Sequence, residues 1–266
     1  MKRGLAAAFL VACGQTGSIL SLESPDDGGN PAPVDAALEV DVDGLHDGPA
    51  DASSSSSPQD ADSPSPPLAI VLANAAAPSH TLDPQIEGRL SVLGFAVEER
   101  PYTMAVTPAD GAALVVVSSS AESAGLDPSL PDQPIPMVVL ESFAYTKLGL
   151  AGPLQGQDFG VLDDTTVDVV DSALAGGLPV GPVKVYTQVA TLNYAVPSAS
   201  ALVVARTQGD ANPAGAAVFC YPAGATMVSR TAPAARAGVF LRTGTSTLAT
   251  PEGWVLFDAV VRWTAK

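Results

Sequence analysis

Apolar positions are distributed unevenly along this chain. Up to residue 67 they stand singly among Ser, Pro, Gly and Asp; from residue 68 they gather into blocks of strand or helix length. LAIVLAN (68–74), FAVEER (95–100), AALVVVSSS (112–120) and PMVVLE (136–141) predict strands. Three of these are apolar throughout rather than alternating, as strands covered on both faces must be, so this half predicts a parallel sheet with helices packed on it. Between the first two, DPQIEGRLSVLG (83–94) predicts a helix with Asp83 as cap, Pro84 in the first position and Gly94 as stop.

The second half has a different rhythm. DFGVLDD, TVDVVD and VKVYTQVATL are short strand-like pieces, and ALVVARTQGDANPAGAAVFCY predicts a hairpin across a Gly/Asn/Pro turn. AGVFLRT (237–243) predicts a last strand. TPEGWVLFDAVVRWTAK then predicts a closing helix, capped by Thr250 and begun by Pro251, with Trp254, Phe257, Val260 and Val261 on one face. Asp258 and Arg262 have the spacing of an exposed i,i+4 ion pair. Trp254 and Trp263 read as core or rim packing on this amphipathic helix.

Charge separates the two regions further. Residues 14–66 hold eleven Asp or Glu and no Lys or Arg, and include five consecutive serines at 53–57 and most of SPSPP at 63–67. So little apolar surface cannot offset the entropy of ordering the backbone, so 13–67 reads as a disordered, extended acidic tether in which His46 has no specific role. Neither region clusters Lys and Arg as phosphate neutralisation requires, which argues against nucleic acid as a partner. No internal repeat of solenoid or propeller type is visible.

The start MKRGLAAAFLVAC has two basic residues, a short apolar run and small residues before Cys13. This is the layout of an export signal over 1–12, with a run too short to span a bilayer. Leu10-Val11-Ala12-Cys13 resembles a bacterial lipobox, in which the cysteine becomes a lipidated N-terminus. The resemblance implies a membrane partner through a lipid on Cys13 and a cell-envelope location. Gly14, not aspartate, follows the cysteine, which favours the outer membrane over the inner. Cys220, in the apolar run AAVFCY, is then the only other thiol and reads as a small core residue.

Five phrases carry a second resemblance: ALVVVSSS, IPMVVLESFAYTKLGLAG, GAAVFCYPAGATM, APAARAGVFL and TPEGWVLFDAVVRWTA. Together they resemble an uncharacterised domain of exported bacterial proteins, related to the class I glutamine amidotransferase-like and trehalose-utilisation (ThuA-like) group. The likeness covers about residues 68–265 and implies an α/β, flavodoxin-like, mostly parallel sheet with helices on both faces and a β-rich second half, in one domain over 68–266. Active amidotransferases of this kind place a cysteine nucleophile at a sharp strand-to-helix turn; here that position is Glu141, between Leu140 and Ser142. Where the ThuA-like group often carries a His-Pro pair, the stretch DSALAGGL has Ser172 and Ala173. A Cys-His-Glu arrangement therefore cannot be assembled.

In open α/β sheets ligands bind at the carboxyl ends of the strands. That edge should gather Asn74 and His80 after the first strand, Ser118, Ser119 and Ser120 after the third, and Glu141, Ser142 and Tyr145 after the fourth. Glu141, the only candidate catalytic residue, admits two readings. It is either a desolvated general acid or base that also hydrogen-bonds a ligand, or a structural acceptor for backbone N–H groups at a helix start. His80 lacks a second ligand at metal spacing, and no P-loop, dinucleotide fingerprint or G-x-S-x-G elbow occurs, so no metal and no cofactor is expected. The domain is accordingly read first as binding rather than catalytic, recognising an envelope ligand or protein partner. A divergent hydrolase or amidotransferase-like enzyme using Glu141, or a purely structural envelope protein, are the alternatives.

Overall fold

The structure, a computed structural model, describes residues 65–208 and 215–266. The segments expected to be a signal (1–12) and a tether (up to residue 64), with Cys13 and His46, and the tip of the predicted hairpin lie outside the described residues. Eleven strands among the described residues join in one sheet.

Five of them build its parallel half: β1 (Leu68–Ala73), β2 (Ala96–Pro101), β3 (Ala112–Val117), β4 (Met137–Val139) and β11 (Arg236–Gly238). They lie in the order β2-β1-β3-β4-β11, each parallel to its neighbour. Renumbered within this half the order is 2-1-3-4-5, the doubly wound arrangement in which the chain reverses its direction of winding between β1 and β3. The fold is flavodoxin-like.

Alternate residues of these strands face opposite sides, and both sides are covered. Ala69, Val71, Leu114, Val116 and Val138 pack with Ile86 and Leu90 of α1 (Asp83–Val92) and with Leu256, Phe257, Val260 and Val261 of α3 (Pro251–Thr264). On the other side Ile70, Leu72, Val115, Val117, Met137 and Val139 meet Leu126, Leu130 and the short helix α2 (Tyr145–Leu148). Two-sided burial is why β1, β3 and β4 read as unbroken apolar runs.

The remaining strands extend the sheet with antiparallel pairs. They are β5 (Phe159–Asp164), β6 (Thr166–Val169), β7 (Gly181–Lys184), β8 (Ala190–Ala195), β9 (Leu202–Thr207) and β10 (Ala216–Tyr221). β9 and β10 form the expected antiparallel hairpin. β10 also pairs with β11, which joins the two halves. Cys220 lies in β10, buried in the core as expected.

Four local expectations need correction. VKVYTQVATL is divided between β7 and β8, because Tyr186 leaves the first ladder to bridge Ala249. AGVFLRT contributes only a three-residue ladder, β11, which starts one residue earlier. Asp83 does not cap α1: Leu82 holds the cap position without a side-chain bond, and the Asp83 carboxylate turns inward. Asp258 is not paired with Arg262 on an exposed face. It is buried, and Arg89 of α1 binds it through two nitrogens at 2.7 and 2.6 Å, tying α1 to α3. The cap of α3 is as the sequence predicts: Thr250 Oγ1 accepts from the Gly253 N–H at 3.0 Å and donates to the Lys184 carbonyl at 2.8 Å.

Candidate functional site

The carboxyl ends of β1, β3, β4 and β11 lie side by side, so the loops after them meet along one edge of the sheet. Asn74 follows β1, Ser118 to Ser120 follow β3, Glu141 and Ser142 follow β4, and Arg242 and Thr243 follow β11. Two polar groupings form there.

The first is centred on Asp83, which is fully buried. Its carboxylate accepts from Ser118 Oγ at 2.5 Å and from Ser120 Oγ at 2.7 Å. Ser118 Oγ is also 2.9 Å from Thr243 Oγ1, and Ser119 Oγ accepts from the Thr243 N–H at 2.7 Å. Ser120 Oγ accepts from the Asn74 N–H at 3.2 Å. One carboxylate at the start of α1 thus gathers the ends of β1, β3 and β11.

The second is centred on Glu141, only 5% exposed. One carboxylate oxygen accepts from the Phe143 N–H at 2.9 Å, as a cap on the 3-10 turn Ser142–Ala144; the other faces Arg242 Nη2 at 3.4 Å. Arg242 Nη1 donates to Asn193 Oδ1 at 2.9 Å. Asn193, on β8, donates in turn to the carbonyls of Leu140 at 2.8 Å and Val239 at 3.2 Å. Burial raises the Glu141 pKa, against the pull of Arg242 and the Phe143 N–H. Desolvation therefore outweighs the partners of the charged form.

This sign decides what Glu141 contributes. A carboxyl whose folded pKa is raised contributes stability that is fully present below its unfolded pKa and is lost as pH rises through the folded one. Its negative charge therefore adds nothing net to stability, whereas its acceptor oxygen serves Phe143. Glu141→Gln, which keeps an acceptor, is expected to leave the unfolding midpoint unchanged or slightly higher. Glu141→Ala, which strands the N–H and the guanidinium, should cost about 1–3 kcal/mol. Thermal melts of both variants near pH 7 check the contrast.

The other expected binding groups are placed as follows. Tyr145 is fully buried, its ring edge-on to Phe219 and its hydroxyl 3.4 Å from the Val239 carbonyl. Burial, then the nearby Glu141, push its phenol upward, so it is an enclosed anchor and does not present its hydroxyl to a ligand. Ser142 is buried, and its Oγ has no hydrogen-bond partner. His80 joins neither grouping by hydrogen bond: its Nε2 meets both oxygens of Glu99 on β2, at 2.9 and 3.0 Å. Among the described residues no group of three or more His, Cys, Asp or Glu is arranged to hold a metal ion.

Asp83, Asn193, Arg242 and Thr243 are absent from the sequence-based site. Arg242 had a usable signal, a lone cation just after an apolar run at the strand end where Glu141 was expected. Asp83 had none, since an Asp-Pro pair at a helix start reads as a cap.

Two cavities are lined without Asp83 or Glu141. One of 440 Å³ opens between Leu174 and Trp263, and one of 290 Å³ lies at the ends of β1 and β2, lined by Asn74, Glu99 and Tyr102. Glu141, Ser118 and Ser142 line neither.

No protein-family model matches the chain, and no curated protein is similar to it in sequence. Among solved structures, a candidate GMP synthase protein from Thermoplasma acidophilum is 15% identical over 74% of this chain and 93% of its own, with a TM-score of 0.44. A glutamine amidotransferase from Thermotoga maritima is 10% identical over 76% and 99%, with a TM-score of 0.47. A candidate ThuA-like protein from Parabacteroides merdae is 10% identical over 76% and 90%, with a TM-score of 0.46. The flavodoxin-like assignment rests on strand order and direction rather than on these distant likenesses.

Proposed function

We propose that this chain is a lipid-anchored cell-envelope protein whose flavodoxin-like domain is non-catalytic and acts by binding an envelope ligand or protein partner. The observation that carries the reading is the enclosure of the strand-end edge: Glu141 stands where the resemblance puts a nucleophile, and its carboxylate faces a backbone N–H and Arg242. The hydroxyls of Ser118, Ser119 and Ser120 at the end of β3 are engaged with Asp83 and Thr243. Cys220, the only cysteine among the described residues, is 1% exposed, and burial pushes its thiol up to about 12, far from the reactive thiolate range. The anchor rests on the lipobox-like tetrapeptide ending at Cys13 and the acidic spacer behind it, with Gly14 favouring the outer membrane.

The reading is tested in two arms. Cells given labelled palmitate should label the wild-type chain and not Cys13→Ala; absence of label from the wild type removes the anchor. Purified protein given glutamine should release no ammonia above buffer, and native Cys220 should resist iodoacetamide. Ammonia release that disappears in Glu141→Gln would replace the binding reading with the divergent amidotransferase-like one.

A further inference from the structure

Three ionisable side chains from three elements meet beside α1, away from the strand-end groupings. His80 belongs to the 3-10 turn Pro78–Leu82, Glu87 to α1 and Glu99 to β2. His80 Nε2 contacts both oxygens of Glu99, at 2.9 and 3.0 Å. Glu87 Oε1 is buried and has no hydrogen-bond donor. Its neighbour is the Glu99 carboxyl, itself an acceptor. A buried carboxyl oxygen facing a second carboxyl is satisfied only when a proton lies between them.

We propose that Glu87, Glu99 and His80 form a proton-sharing latch, which fastens the turn Pro78–Leu82 to α1 and β2 in acid and loosens it as the pH rises past neutrality.

The surroundings of Glu87 support it. Asp83, one turn earlier on α1, adds negative charge, and His80 is the cation facing the pair. β1 and the 3-10 turn Thr243–Leu248 carry no ionisable side chain. The other charges of β2 and α1 are engaged elsewhere: Arg100 with Glu98 and Asp110, Arg89 with Asp258. Burial and Glu99 push the Glu87 carboxyl up from 4.5 to about 7, and Glu99 raises the His80 imidazole above 6.5. Both groups bind protons more tightly in the fold. The stability they contribute is present in acid; it falls from about pH 4.5 for Glu87 and from about 6.5 for His80, and is lost as pH passes their folded values.

The latch has a route to the rest of the edge. Its turn packs against Thr243–Leu248, and the residue following it is Asp83, which holds Ser118 and Ser120. Glu99 also lines the 290 Å³ cavity, so the latch adjoins that wall. The device lies within the described domain and does not depend on the anchor or on the absence of catalysis.

Amide hydrogen exchange on the full-length chain reads the latch through the His80 N–H, bonded to Ala77 O, and the Asp83 N–H, bonded to His80 O. After correction for intrinsic rates, their protection should be several-fold higher at about pH 5 than at about pH 8, while amides of β1 and β3 keep theirs. Glu87→Gln supplies a permanent donor and should raise protection at the higher pH above that of the wild type, leaving only the part that depends on the His80 proton. Equal protection at both pH values, an equal change throughout β1 and β3, or Glu87→Gln behaving as wild type would each overturn the proposal.

Discussion

Asp83→Ala is expected to be the most damaging single change at the strand-end edge, lowering stability by about 2–4 kcal/mol. The carboxylate is fully buried and accepts from two serine hydroxyls that are themselves buried. Hydrogen bonds to a charged group contribute about 1.5–3 kcal/mol each, and hydroxyls left without an acceptor bear a desolvation penalty. Part of the loss is recovered, because Ser118 Oγ is 2.9 Å from both Ser120 Oγ and Thr243 Oγ1 and can redirect its proton. Removing a buried negative charge recovers some more. The expected net loss corresponds to a drop of roughly 5–15 °C in midpoint for a domain of this size. Asp83→Asn keeps one acceptor oxygen and should cost about 1 kcal/mol. Ser118→Ala combined with Asp83→Ala should cost less than the sum of the two, because each already breaks the same bond. Thermal and urea melts of the wild type and the four variants measure this; a loss below about 0.5 kcal/mol for Asp83→Ala, an ordinary surface effect, would show that the carboxylate does not organise the edge.

What the sequence revealed and what it concealed divide along a physical line. β1, β3 and β4 were legible because strands covered on both faces must be apolar throughout, and that pattern is local. The start of α3 was legible because Thr250-Pro251 is itself the cap. Interactions between distant residues left no such trace. The Asp258–Arg262 spacing suits an exposed pair, yet Arg89, 169 residues away in sequence, reaches Asp258 first with two nitrogens. β11 stops after three residues although its apolar run continues. Beyond Gly238, the Val239 and Leu241 carbonyls accept from the Asn193 side chain, and the Phe240 carbonyl accepts from the Asn193 N–H. Periodicity cannot anticipate a side chain replacing a strand. At the site, Glu141 was visible as an acid ending an apolar strand, while its partner Arg242 lies 101 residues later. The hydroxyls of Ser118 and Ser120 were visible as polar groups at a strand end. That they face inward to Asp83, leaving less of the edge to a ligand, depends on the helix that delivers the carboxylate.

The same logic makes opposite predictions for one substitution at two helical glycines. Gly→Ala in a helix interior gains up to about 1 kcal/mol from propensity alone. At Gly88, exposed on α1, an added Cβ meets nothing within 4 Å, so Gly88→Ala should realise most of that gain. At Gly253, in the first turn of α3, the added Cβ would lie 2.5 Å from the Val185 carbonyl oxygen. That atom cannot rotate away. It is backbone and accepts from the Thr250 N–H at 2.9 Å, while Thr250 Oγ1 grips both Lys184 O and the Gly253 N–H. Relief requires lifting the helix start off β7, which loosens the cap together with the packing of Leu256 and Phe257 behind it. Overpacking of this kind costs about 1–3 kcal/mol or more, and losing the cap about 1, so the steric penalty outweighs the propensity gain. Gly253→Ala should therefore lower the midpoint while Gly88→Ala raises it. If both variants rose together, the close seating of α3 on β7 would be wrong, and with it the path by which Thr250 fixes the closing helix to the sheet.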